Sequence, residues 1–218
     1  MGYKEIFQEL VDFGIERDKI IICERWNMEM ASIQYFDERC INKKRITGGF
    51  VDVGAFDGMD SLHYIDWQGN SDSKIWAFEP DNVQYEICKS RLKQYNNIQV
   101  IEAGVSEKTE KKKMMMLHNG MSSIGTEGEE IVTIALDDIL LKEKIGYIKI
   151  DIEGYEENAL RGAEKIIREQ HPALAVCVYH RRDDIWRIPS LLLNYYPGYH
   201  FSFGHYEVIH AETVLYAY

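Results

Sequence analysis

The chain has 218 residues, 36 of them acidic against 25 Lys and Arg, for a net charge of −11 and a hydrophobic content of 45%. That length suits one domain with an appendage and a sizeable core. The acidic balance excludes broad attraction to nucleic acid, which needs clustered Lys and Arg to displace counterions, and no apolar run approaches the ~20 residues that span a bilayer.

The opening MGYKEIFQEL lacks the apolar stretch of a signal peptide, and Ile6 stands where a myristoylation start needs Ser or Thr. A cytoplasmic location is the expectation. Residues 1–46 read as a helical N-terminal appendage. Ile6, Phe7, Leu10 and Val11 share helical spacing, and a second amphipathic stretch runs from about Glu24 to Cys40. The main domain is placed at 47–218. Its strands are expected at Gly49–Val53, Lys74–Phe78, Ile98–Ile101, Glu130–Ile134, Tyr147–Ile152 and Ala173–Tyr179.

Between them, Asp81 caps a helix with Gln84 three residues on, and another helix starts near Leu136. A long helix carries Ala159, Leu160, Ala163, Ile166 and Ile167 on one stripe. Lys111–Lys113 is expected as a solvated turn, Met114–Met116 as core packing, and Gly120–Gly128 as a flexible loop. Arg181–Asp184 reads as a solvated turn before the helix containing Trp186. The scattered Cys23, Cys40, Cys88 and Cys177 form no C-x-x-C pair, so no zinc ribbon or redox motif is indicated.

Strands alternating with helices imply a mostly parallel, doubly wound α/β sheet. Tyr199–Phe203 and Thr213–Tyr218 lie too close in sequence for a crossover helix, so they should close that sheet as an antiparallel hairpin.

Val51-Asp52-Val53-Gly54-Ala55-Phe56-Asp57-Gly58 carries the sharpest chemical signal. A strand that ends in Gly-x-x-x-Gly and opens a helix lets a ligand approach the backbone closely. Glu79 ends the next strand, 21 residues beyond Gly58, where a carboxylate can accept from both hydroxyls of a ribose. Singly, these features are equally what a tight turn and a residue beside Pro80 would give; together in one βαβ unit they point to a nucleoside site. The middle glycine of G-x-G-x-x-G is missing, and Asp52 would repel a diphosphate. Such a site suits a nucleoside with a cationic amino acid portion, such as S-adenosylmethionine.

Asp151 and Glu153 end a strand at i, i+2 spacing, and His180 ends the following one. Methyl transfer to a hydroxyl gains most from positioning of the acceptor and further from a general base, for which His180 is the candidate. The same residues also read as helix N-terminal carboxylates with a satisfied strand-end histidine, or as a divalent metal site. Acceptor-site chemistry is favoured, and no metal is assigned.

The chain resembles the FkbM-type family of S-adenosylmethionine-dependent methyltransferases. The matching stretches are Phe50–Ala55 with Gly58, Ala77-Phe78-Glu79-Pro80, Leu136-Asp137-Asp138, and Ile148–Glu156 with Leu160 and Gly162-Ala163. The resemblance covers about residues 47–218. It implies the seven-strand class I methyltransferase (Rossmann-like) fold, with Asp52, Gly54 and Ala55 near the methionine end of the cofactor and Glu79 on its ribose. It also implies a contribution from Ser123 or its neighbours and places Asp151 near the methyl group. Family members typically O-methylate natural products or glycan sugars. The expected function is therefore O-methylation of a small-molecule or glycan hydroxyl. Asp52, Gly54, Ala55, Gly58, Glu79, Pro80, Ser123 and Asp151 are assigned to the cofactor, and Asp151, Glu153 and His180 to the acceptor. An NAD-type oxidoreductase and a non-catalytic nucleoside-binding module are the alternatives. The appendage is read as a cover for the acceptor pocket or as a homodimer contact.

Overall fold

In a computed structural model, which describes residues 8, 10–22, 34–69, 72–115, 123–125, 127–206 and 212–218, the apolar runs line up side by side. β2 (Gly49–Val53), β3 (Ile75–Phe78), β4 (Ile98–Ile101), β9 (Ile145–Ile150) and β10 (Ala173–Cys177) pair in parallel. The hairpin of β11 (Phe201–His205) and β12 (Thr213–Ala217) closes one side, with β12 antiparallel to both β10 and β11. The order β11-β12-β10-β9-β2-β3-β4 is the expected seven-strand sheet with its antiparallel terminal hairpin.

An eighth strand was not expected. β1 (Ile20–Ile22) pairs in parallel with β11, so the segment before Thr47 contributes to the sheet as well as packing on it. Tyr35, Phe36, Cys40, Ile41 and Ile46 of the same segment are buried in the aromatic core beside Phe50 and Tyr147. The expected helix from about Glu24 falls largely outside the described residues, as do Ile6 and Phe7.

Alternation along each strand splits the core into two layers. Val51, Val53, Ile148 and Ile150 pack with Leu160, Ile166 and Leu192 on one face. Phe50 and Tyr147 face the other way, where Phe50 stacks on Tyr64 at 4.2 Å between centroids. The helices that pack on the sheets include α1 (Met59–Gln68), α2 (Asn82–Leu92), α3 (Leu136–Leu140), α4 (Glu156–Arg161), α5 (Glu164–Gln170) and α6 (Asp184–Tyr195, which holds Trp186). Asp81 caps α2 as expected, accepting from the N–H groups of Val83 and Gln84. Cys40, Cys88 and Cys177 are buried, and Cys88 and Cys177 are free thiols.

The single long helix expected around Ala163 is instead two. The Gly162 carbonyl leaves the helix to accept from Asp137 N–H at 2.8 Å, and the Asp137 carboxylate accepts from Lys165 and Ile166 N–H at 2.8 and 2.9 Å. A residue from another element thus caps α5 at its first turn, which the stripe pattern alone does not reveal.

Two further expectations are corrected by a second sheet, β5 (Gly104–Val105), β8 (Glu129–Ile134), β6 (Glu110–Met115) and β7 (Ser123–Gly125) in that order. Lys111–Lys113 belong to β6 and not to a turn, because pairing with β8 satisfies their backbone. Met114 faces inward and Met115 is half exposed, the alternation expected of adjacent strand residues; Met116 lies outside the described residues. Ser123–Gly125, expected in a loop, pair with Lys113–Met115.

Candidate active site

The C-terminal ends of β2, β3 and β9 border a cavity of about 340 Å³, the size class of small-molecule sites. Gly54, Glu79, Pro80, Asp151 and Glu153 line it, together with Phe56, Lys149 and Tyr179. Of the residues assigned from sequence, Asp52, Ala55, Gly58 and His180 are not on the wall. The side chain of Ser123 lies outside the description.

The bend after β2 is built by contact. Gly54 N–H and Ala55 N–H both donate to the Phe78 carbonyl, at 3.1 and 2.9 Å, which draws the loop across the end of β3. Gly54 has φ +78, and a Cβ there would lie 2.0 Å from the Asp151 carbonyl oxygen, so only glycine fits between the two strand ends. Gly58 does something else. Its Cβ position faces Cys88 and Leu92, so it lets α1 approach α2 and does not touch the cavity.

Glu79 is 6% exposed, and its two carboxylate oxygens are anchored separately. Oε2 accepts from Phe56 N–H at 2.9 Å and Oε1 from Asp81 N–H at 2.8 Å. Burial outweighs these bonds and pushes its pKa up to about 7. Each oxygen keeps a lone pair for a further donor.

Asp52 was expected to face the ligand. It is instead fully buried below the cavity floor, where Ser61 Oγ donates to it at 2.8 Å and Lys149 Nζ lies 3.3 Å away. The cause is register: Asp52 on β2 stands directly opposite Lys149 on β9, and period-2 alternation points both to the same face. Lys149 also pairs with Asp60 at 3.1 Å and donates to the Gly54 carbonyl at 2.7 Å. Burial alone would lower the lysine pKa, but Asp52 and Asp60 outweigh it and raise it. Burial lifts that of Asp52 to about 6 against the pull of Lys149. Lys149 therefore ties the bend to two carboxylates.

At the other end, His180 Nδ1 lies 2.8 Å from Glu156 Oε1, an oxygen that also accepts from Ile152 and Gly154 N–H. His180 Nε2 points between Asp151 Oδ1 at 3.6 Å and Glu153 Oε2 at 3.5 Å. Burial alone would lower the imidazole pKa; the bond to Glu156 and the charges of Asp151 and Glu153 override it and raise it to about 9. The second Asp151 oxygen accepts from Tyr35 Oη at 2.7 Å. Asp151, Glu156 and His180 each bring a ligand atom within 4.8 Å of the others.

Tyr35, Phe56, Glu153 and Glu212 all have φ between +48 and +71, a costly conformation for residues with a Cβ. Three of the four line the cavity, and Tyr35 holds Asp151. Backbone strain is thus concentrated around this site. Sequence reasoning missed Lys149, Asp60, Tyr35 and the role of Glu156. Lys149 was findable, since aligning β2 with β9 sets it against Asp52. Tyr35 carried no local signal.

The wall carries Asp60, Glu79, Asp81, Asp151, Glu153 and Glu212 against Lys149, which is itself neutralised by Asp52 and Asp60. This charge fits a nucleoside bearing a cation and no phosphate, and it opposes a dinucleotide diphosphate.

Residues 52–209 match the family model described as the methyltransferase FkbM domain. No curated protein matches the chain. Among solved structures, methyltransferase FkbM from Methylobacillus flagellatus KT superposes with a TM-score of 0.74 at 23% identity, covering 99% of this chain and 58% of that one. The present chain thus spans under two thirds of that relative's length. Aeropyrum pernix fibrillarin, solved with natively bound S-adenosyl-L-methionine, superposes with a TM-score of 0.56 at 12% identity, over 89% and 75% of the two chains.

Proposed function

Because the chain belongs to the FkbM methyltransferase domain family, whose members are S-adenosylmethionine-dependent, we propose that it methylates a hydroxyl oxygen of a sugar, a glycan or a small natural product. The cofactor supplies an electrophilic methyl group carried on a sulfonium. Glu79 would hold the ribose hydroxyls, Gly54 and Pro80 would border the nucleoside and its amino acid portion, and Asp151 would lie nearest the methyl group, while Ala55 acts at one remove by holding the bend to the Phe78 carbonyl. Asp52 acts at one remove, through Lys149, by fixing the bend. The observation that carries this reading is the Glu79 carboxylate, fixed by two backbone N–H groups on the wall of a cavity that repels phosphate.

Asp151, Glu153 and His180 are assigned to the acceptor end. Their part is to align the acceptor oxygen and draw off its proton, where positioning dominates the gain. Acidic walls at this end support a site that holds a polar, hydrogen-bond-donating acceptor. The test is turnover with isotopically labelled cofactor on a panel of hydroxylated sugars and natural products, reading the product's methyl resonance. A methoxy signal is expected; a methyl group found on nitrogen or carbon would refute the oxygen assignment while leaving the cofactor reading untouched.

A further inference from the structure

We propose that His180 Nε2, Asp151 and Glu153 bind one divalent cation at the acceptor end of the cavity, and that this ion receives the acceptor's hydroxyl oxygen. The inference rests on the acceptor-end assignment above and deepens it. His180 is 7% exposed at its side chain, and its Nε2 has no hydrogen-bond partner. The neighbouring carboxylate oxygens, at 3.6 and 3.5 Å, are too far for a hydrogen bond. They are at the roughly 3–3.6 Å expected between ligand atoms held about 2.1 Å from one ion at ordinary coordination angles.

The surroundings have the form of a metal site's outer layer. Glu156 grips Nδ1 and is itself gripped by the backbone of Ile152 and Gly154, which sets the ring so that the buried Nε2 points between Asp151 and Glu153, the two carboxylates that line the cavity. The other Glu156 oxygen, Oε2, is buried with no hydrogen-bond partner. Tyr35 occupies Asp151 Oδ2, leaving Oδ1 toward the histidine. Three carboxylates surround one imidazole, an excess of negative charge that a divalent ion offsets. Two carboxylates and one imidazole suit manganese or zinc and leave positions open for water or for an alcohol. A hydroxyl bound there becomes more acidic, which favours an alcohol or vicinal diol as acceptor.

The test is titration of the full chain, freed of metal by a chelator, with Mn²⁺, followed by electron paramagnetic resonance. One bound ion per chain is expected, with nitrogen hyperfine coupling from the imidazole. His180→Gln and Glu153→Gln should weaken binding at least about tenfold while still binding S-adenosylhomocysteine. No bound ion at about 1 mM Mn²⁺, a bound ion without nitrogen coupling, or a His180→Gln protein that binds Mn²⁺ as wild type would each overturn the site. Should His180→Gln fail to fold, the wild-type nitrogen coupling decides alone. Because S-adenosylhomocysteine binding is read separately, loss of the cofactor reading and loss of the cation site are distinguishable.

Discussion

Two residues decide how the cavity behaves. Glu79 would grip a ribose as a carboxylate, so cofactor binding favours its ionised form. With a pKa lifted to about 7 by burial, it is mostly protonated at pH 6 and mostly ionised at pH 8. Affinity for S-adenosylhomocysteine should therefore rise by up to about tenfold between those values, with uptake of ligand releasing a proton. Calorimetry in buffers of differing ionisation enthalpy reads both; a flat profile would detach Glu79 from the ligand. Lys149 is the second. It is 2% exposed at its side chain and compensates both Asp52 and Asp60, so Lys149→Met strands two carboxylates. A loss of about 3–5 kcal/mol is expected in urea unfolding, partly restored by adding Asp52→Asn. Little change on Lys149→Met would mean that the network contributes nothing to stability.

The elements show where sequence patterns suffice and where they fail. Every strand of the seven-strand sheet was legible because each is a short, mostly apolar run with turn residues at its ends; β2, β3 and β9 are buried on both faces, while β4 at the edge is only partly covered. The terminal hairpin followed from the shortness of its connection. The break at Gly162 was not legible, because its cause is Asp137, far away in sequence, capping α5 through space. The stripe from Ala159 to Ile167 survives the break, so periodicity reports one helix. Packing supplies a prediction here: a Cβ at Gly162 would lie 2.0 Å from the Ser106 carbonyl oxygen, although its backbone angles suit any residue. Gly162→Ala should cost about 1–3 kcal/mol through steric conflict, measured as a shift in denaturation midpoint. An unchanged midpoint would show that the neighbouring chain yields freely. Lys111–Lys113 misled for a related reason: a polar, largely exposed strand lacks the apolar signal, and only pairing with β8 and β7 defines β6.

Over the whole molecule, the segment before Thr47 is woven into the fold. β1 extends the sheet, and Phe36, Ile41 and Ile46 fill the aromatic layer. Burying such side chains contributes about 1.5–3 kcal/mol each against a total stability of about 5–15 kcal/mol. Removing residues 1–46 should therefore abolish cooperative unfolding, and a truncated chain that melts in one sharp transition would contradict this. The segment reaches the site too, through Tyr35 and Asp151.

The residues proposed to hold the cofactor were readable as a cluster because a glycine bend and a strand-end acid sit close in sequence, and both reach the cavity. Those proposed for the acceptor were only partly so: Asp151, Glu153 and His180 do converge, while Tyr35, Glu156 and Lys149 join them through contacts that spacing cannot express. The role given to Asp52 was misplaced, since strand register turned it toward Lys149 and away from the cavity.

The most direct test is calorimetric titration of S-adenosylhomocysteine, with NADH alongside, into wild type and Glu79→Ala. One site is expected for S-adenosylhomocysteine, at least about tenfold weaker in Glu79→Ala, and none for NADH. Equal affinity in the two proteins, or binding of NADH in preference, would contradict the account.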